Sequence, residues 1–350
     1  MNYEPSNIPP DGSWSEAERW VWGKLCRGEE ADFNKDQKFA ATGGGDAGLD
    51  PRREVSPAFL RAIALDDPWR GAINSRGVRI VGAWIRQPLE FTDKPLDHEL
   101  ALEFCRFDAP VTLRGLHTIH TLSLSNSTFT GAVDMANMKT VKSVHLRGAA
   151  FCREVRMADS LIGGSLDMKG ARFQGAVNME KISVAGSLLF AGALFEEEAT
   201  LAAARIAGKL DFAGARLCHV DMSRVHIDGE MRVGRENGLR TSWGKDARLL
   251  LEDAFAGSIV DSPDAWPEHI HLDGFVYNSI TGDAGGGAMA QREVAWLKWW
   301  LRRHRPFSPQ PYKQLAQALD KAGLPDKARD IRQAATEETG RLKLSIIGAA

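Results

Sequence analysis

The chain is short of cysteine, of tyrosine, of net charge and of long apolar runs, and each shortage removes a class of protein. Four cysteines occur in 350 residues (Cys26, Cys105, Cys152 and Cys218), with no CxxC pair and no metal-ligand spacing. That argues against a zinc module and a dithiol redox site, and fits a reducing cytosol. Lys and Arg number 44 against 46 Asp and Glu, a formal charge of −2. Near-balance excludes the basic surface of a bulk nucleic-acid binder and the strong acidity of a DNA mimic. No run approaches the ~20 apolar residues that cross a bilayer. The start, Met1-Asn2-Tyr3-Glu4-Pro5, lacks the apolar core of a secretory signal, so none is expected.

What is present is a strict internal period. Phe107, Phe129, Phe151, Phe173 and Phe195, then Leu217, follow one another at intervals of 22 residues. Other columns keep this register: Val111, Val133, Val155, Val177 and Ala199; Leu113, Met135, Met157, Met179 and Leu201; Leu122, Val144, Leu166, Leu188 and Leu210; Leu124, Leu146, Met168, Phe190 and Phe212. Ile85, Leu89, Phe91, Leu100 and Leu102 extend the columns one unit earlier, and Val78 and Ile80 begin the unit before. Beyond Leu217 one residue is missing, yet Val220, Met222, Ile227, Met231 and Val233 continue the sense. A period of this length marks a solenoid, in which each unit buries its apolar face only against its neighbours.

The inward positions lie 0, 6, 11 and 17 residues from each Phe, so one coil has four short sides. On each side two residues, two apart, point inward, as strand alternation requires. Ala149, Ala171, Ala193 and Ala215 precede the central aromatic position because one side cannot hold two large groups. Gly148, Gly170, Gly192 and Gly214, and again Gly164, Gly186 and Gly208, are assigned to corners with positive φ. Thr118 and Thr140 fall on an apolar column, with Ile119 and Val141 next to them, which predicts a bulge or a shifted side. The expected fold is mainly β: a right-handed quadrilateral β-helix of 22-residue coils, with an N-terminal helical cap and a C-terminal α-helical tail.

The predicted divisions are 1–73 for the cap, 74–281 for the β-helix and 288–350 for the helical domain. Ser13 and Glu16 form a capping-box pattern ahead of Trp20, Val21, Trp22 and Leu25, with Gly28 ending the helix. Ser56-Pro57 opens a second helix carrying Phe59, Leu60 and Ile63. Arg235 to Asp246 reads as a polar loop, followed by one or two irregular closing coils and a flexible junction at Gly282–Gly287. The tail is predicted as three helices, over about Met289–His304, Pro311–Lys321 and Asp326–Glu338.

Little in the sequence points to chemistry. Gly43, Gly45 and Gly48 match a GxGxxG spacing but lack the flanking strand and helix of a dinucleotide site, so they read as loop. Glu268, His269 and His271 have no supporting ligand, and Glu196–Glu198 read as a solvated corner. Asp134, Arg156, Asn178 and Thr200 share one column without repeating one residue type, as stacked catalytic acids would. Cys152 and Cys218 lie three coils apart, roughly 14 Å, beyond the ~7 Å reach of a disulfide. No catalytic, cofactor or metal residue is assigned. The most suggestive segment is Trp296, Lys298, Trp299, Trp300, Arg302, Arg303 and Arg305. Interleaved aromatics and cations on a helix suit an anionic membrane surface or a protein partner, and they equally suit packing under the neighbouring elements.

The Ala31-Asp32-Phe33-Asn34 and Gly77–Ala83 stretches, the coil array, Ala265-Trp266-Pro267, Leu272–Tyr277 and Ser308–Ala316 together resemble bacterial pentapeptide-repeat-like proteins, a group often labelled membrane-associated oxidoreductase. The resemblance covers nearly the whole chain, although strict pentapeptide coils have 20 residues rather than 22. It implies a helical tail leading into hydrophobic, membrane-spanning segments. The oxidoreductase label has no nucleotide, flavin, haem or redox-cysteine motif behind it here. The functional expectation is a non-enzymatic β-helix scaffold or interaction module at the cytoplasmic face of a membrane, meeting a protein partner or membrane segment through its C-terminal helices. Alternatives are a DNA-mimicking topoisomerase regulator and an enzyme with an unrecognised site. The coils over 107–234 carry 13 acids against 14 Lys and Arg, which disfavours the mimic.

Overall fold

Thr118, Thr140 and Ile162 stand directly above one another on one strand ladder. This simple stacking repeats throughout the molecule. The computed structural model describes residues 8–39, 50–282 and 288–348. Gly43, Gly45 and Gly48, and most of the Gly282–Gly287 junction, lie outside them. The central body is a parallel β-solenoid in which each regular coil contributes four two-residue strands.

The first wall stacks Ile85, Phe107, Phe129 and Phe151 in register. The second stacks Leu89, Val111, Val133, Val155 and Val177 in a ladder of nine strands. The third runs from Leu96 through Thr118 to Val184 and Ile206. The fourth runs from Val78 through Leu100, Leu122 and Val144 to Leu210. The phenylalanines form a stack inside the tube, with centroids 4.7, 5.0, 5.2 and 4.6 Å apart from Phe107 to Phe195.

Three expectations about the coil are corrected. There is no bulge at Thr118 or Thr140. Both threonines stay in the ladder and buried, because Thr118 Oγ1 accepts the His120 N–H (3.0 Å) and Thr140 Oγ1 donates to the Lys142 carbonyl (2.8 Å). Ile119 and Val141 therefore project outward. Secondly, Gly164, Gly186 and Gly208 do not have positive φ. They are glycine because an added Cβ would come within 2.5 Å of the preceding coil at each position. Positive φ falls instead on Asn137, Asp159, Lys181, Ala203 and Arg224, at the corner between the second and third walls, while Gly148 and its stack adopt it as expected. Thirdly, Arg235 to Asp246 is not simply loop. Arg235–Glu236 and Leu239–Arg240 pair antiparallel, and Ser242–Trp243 rejoins the first wall. Asn237 and Gly238 both have positive φ, the two-residue hairpin signal of an Asn-Gly pair.

The cap comprises α1 (Glu16–Cys26), α2 (Pro57–Leu65), α3 (Trp69–Ala72) and a short strand, Ala31–Asp32, that pairs with Ile80–Val81 of the first coil. The capping box of α1 is Ser15 with Glu18, not Ser13 with Glu16. A turn closed by Trp14 N–H on the Asp11 carbonyl, with Ser13 bound to the Asp11 carboxylate, delays the helix by two residues. Glu18 also accepts the Ser56 N–H (2.9 Å), joining the starts of α1 and α2. Glu18→Ala removes the acceptor of three part-buried donors, the Ser15 and Ser56 N–H groups and the Ser56 hydroxyl, and is expected to cost about 1–2 kcal/mol, read as a lower urea midpoint.

The tail is shorter at its start and longer at its end than predicted. A 3-10 turn at Met289–Gln291 precedes α4 (Val294–Leu301), which stops before His304. Next come α5 (Pro309–Lys321), capped by Ser308, and α6 (Pro325–Gly348). Buried apolar residues from Trp14 in the cap to Ala334 in α6 form one contiguous core, so the three predicted divisions share their interior.

Candidate functional site

Because the lumen is filled by side chains, function must be sought on the outer walls and the tail. The third wall's outward positions carry Ile119 (63% exposed), Val141 (62%) and Leu161 (48%) on three successive coils. They line a shallow groove of about 480 Å³ with Pro95, His117 and Lys139. The groove follows from the threonine correction: once Thr118 and Thr140 hold the inward positions, strand alternation sends their apolar neighbours into solvent. Ile119 and Val141 share one outward column, which continues through Gly163, Ala185 and Ala207 and leaves the floor low, whereas Leu161 lies two residues to the side, stacked on Lys139 and His117. Lys139 and Lys142 make no ion pair among the described residues, whereas Asp97 at the groove's end is neutralised by Arg70 (3.3 Å).

A second groove, about 810 Å³, runs over the second wall past Asn178, Glu198, Thr200, His219, Asp221 and Arg248. Part of this lining is committed to the fold. Asn178 Oδ1 accepts the Glu180 N–H (3.0 Å) and Asp221 Oδ1 accepts the Ser223 N–H (2.8 Å); Asp134 does the same for Ala136 (3.0 Å). Turn capping thus explains Asp134, Asn178 and Thr200 in the column of mixed polar residues, while Arg156 instead pairs with Glu154 (3.6 Å). Glu198, His219 and Arg248 are exposed and make no ion pair with each other.

The structure divides the C-terminal set rather than presenting it on one surface. Trp300 is buried edge-on against Trp266, with centroids 5.3 Å apart. Arg303 donates to the carbonyls of Trp266 and Pro267 and stacks over Trp299 at 3.7 Å. Arg302 pairs with Glu338 of α6 (3.0 Å), and Trp296 is half-buried beneath Arg292. Trp299 (43% exposed), Arg302 and Arg305 remain exposed, and Lys298 is half-buried.

Sequence reasoning missed the role of the tail's hinge residues. His304 is buried against the last coil. Its Nδ1 accepts the Leu272 N–H (3.2 Å), and its ring lies 5.9 Å from that of His271. Burial, then the neighbouring His271, pushes the His304 pKa below its ordinary value. A depressed histidine stabilises the fold fully above the unfolded value of about 6.5, and that contribution is lost as pH falls through the folded value. The tail is therefore expected to loosen below about pH 6.5, seen as faster amide exchange in α4 and α5. His304→Asn, which keeps an acceptor but does not titrate, should flatten that dependence. His269 is exposed, and among the described residues no group of three His, Cys, Asp or Glu is placed to hold a metal ion. Burial pushes the Cys105 thiol up to about 12, which leaves it protonated at neutral pH.

No helix among the described residues is long and apolar enough to cross a membrane. Comparison with protein-family models, curated proteins and solved structures finds no match.

Proposed function

We propose that this chain is a non-enzymatic interaction scaffold: a stiff rod that presents side chains at fixed intervals to a protein partner. The observation that carries this reading is the stripe of Ile119, Val141 and Leu161 on three successive coils of one wall. Single exposed aliphatic residues are ordinary, but a contiguous row in a groove is the usual mark of an interaction site. The tail offers weaker support for membrane contact, since Trp300 and Trp296 are drawn inward and Trp299 alone remains substantially exposed. A relationship to pentapeptide-repeat-like proteins belongs to the same proposal. Parallel coils with central phenylalanines favour it, and the 22-residue period sets this chain apart from the strict form.

The test is photocrosslinking in cells with a benzoylphenylalanine placed at Val141. A discrete protein adduct is expected there and not with the same probe at Thr130 on the first wall. Absence of adducts at both positions, or the same adducts at both, counts against the reading.

A further inference from the structure

Resting on that reading, we infer that the third-wall groove seats an amphipathic α-helix of a partner protein, with an apolar stripe flanked by acidic residues, lying along the solenoid axis. Three observations fix the occupant. The wall's backbone groups are used between coils: Val141 N–H donates to the Thr118 carbonyl (3.0 Å), Leu161 to Met138 (2.7 Å) and Gly163 to Thr140 (2.7 Å). The groove therefore has no free strand edge for an extended peptide to join. A segment docked on its apolar floor must satisfy its own backbone, and a helix does so.

The spacing also suits a helix. Ile119 and Val141 stand one coil, about 4.8 Å, apart, and Leu161 stands one coil further on and two residues to the side, against a helical pitch of about 5.4 Å and an apolar helix face several residues wide. Over three coils the mismatch is about 1 Å, within side-chain adjustment. Beyond Val141 the column drops to Gly163 and Ala185, and an added Cβ at Gly163 would meet the Val141 carbonyl at 2.5 Å. The low floor admits a rounded ridge between Val141 and Leu161, a shape unlike a planar bilayer.

Charge selects the flanks. Lys139 and Lys142 border the stripe without an ion pair among the described residues, beside His117 and His120. Asp97, the carboxylate that lines the groove's end, is already paired with Arg70. The rim is therefore cationic, and a complementary helix bears Glu or Asp on both sides of its apolar row.

Fluorescence anisotropy with designed helical peptides tests this. One probe carries a leucine row flanked by Glu; the other has the same row flanked by Lys. The Glu peptide is expected to bind at least about tenfold more tightly at low salt, the worth of two or three exposed ion pairs. Lys139→Glu with Lys142→Glu should reverse the preference. Ile119→Ser with Val141→Thr should abolish binding of both, with an unchanged circular dichroism spectrum showing that the variants fold. Equal binding of the two peptides, or tighter binding of the Lys peptide, overturns the acidic-helix inference while leaving a docking face. Failure of both peptides to bind overturns the docking face itself. Ile119-dependent flotation with phosphatidylcholine–phosphatidylglycerol vesicles, or Ile119-dependent dimerisation in sedimentation equilibrium, would assign the face to lipid or to a second copy and overturn the inference.

Discussion

Phe151→Ala is expected to lower the unfolding free energy by about 3–5 kcal/mol, read from the urea midpoint at constant m-value. The ring is buried between Phe129 and Phe173, with centroids 5.0 and 5.2 Å away and planes within 7° and 3° of parallel. Deleting it removes contacts from three coils at once. The coils above and below are locked by backbone ladders on four walls, so they cannot collapse into the space. A solenoid transmits the damage to its nearest neighbours, and unfolding should begin there. Ile119→Ala, which removes a side chain of similar apolar character from the outer face, should change stability by less than about 0.5 kcal/mol. Inside and outside of the same tube thus predict different outcomes.

Asp261→Ala should cost about 3–5 kcal/mol and release the C-terminal helices. Asp261 is fully buried at the end of the long strand Phe255–Asp261. It accepts from Arg292 at 2.7 and 2.8 Å and from Trp266 Nε1 at 2.6 Å. Arg292 in turn lies over Trp296 at 4.2 Å. Removing the carboxylate strands a guanidinium in a dry site, which costs more than the pair itself contributes. The double variant Asp261→Ala with Arg292→Ala should recover a large part of the loss, because no charge is left behind. Limited proteolysis should show cleavage after residue 282 in the single variant first.

The coil was legible because each inward position repeats its residue type at a fixed interval, which a single sequence displays. Phe107 to Phe195 and the Val111 column could be placed without coordinates for that reason. The threonines misled because a hydroxyl satisfied within its own corner looks, in sequence, like a break in the apolar column. A bulge or shifted side beside Ile119 and Val141 is then the expectation, and the groove they form outside has no trace in the sequence. The glycine columns carried two meanings, left-handed φ at Gly148 and close coil approach at Gly164, which residue type alone does not separate. Asn237-Gly238 is a readable hairpin signal set within a polar stretch that otherwise reads as loop. The Asp261–Arg292 clasp joins residues 31 positions apart and has no periodic trace, so only the fold reveals it. The tail's aromatic and basic residues stand out by composition, but composition does not say that Trp300 packs on Trp266 while Trp299 stays accessible.

The in-register stack is tested most directly with the chain's own cysteines. Cys26 and Cys105 are buried, while Cys152 and Cys218 are part-exposed on the same outward column of the first wall, three coils apart. Spin labels on those two, read by dipolar electron paramagnetic resonance, should give one narrow distance centred within a label's length of three coil spacings, about 14 Å. A broad distribution, or a separation beyond about 30 Å as side-by-side helical repeats would produce, contradicts the four-walled tube on which every other statement here is built.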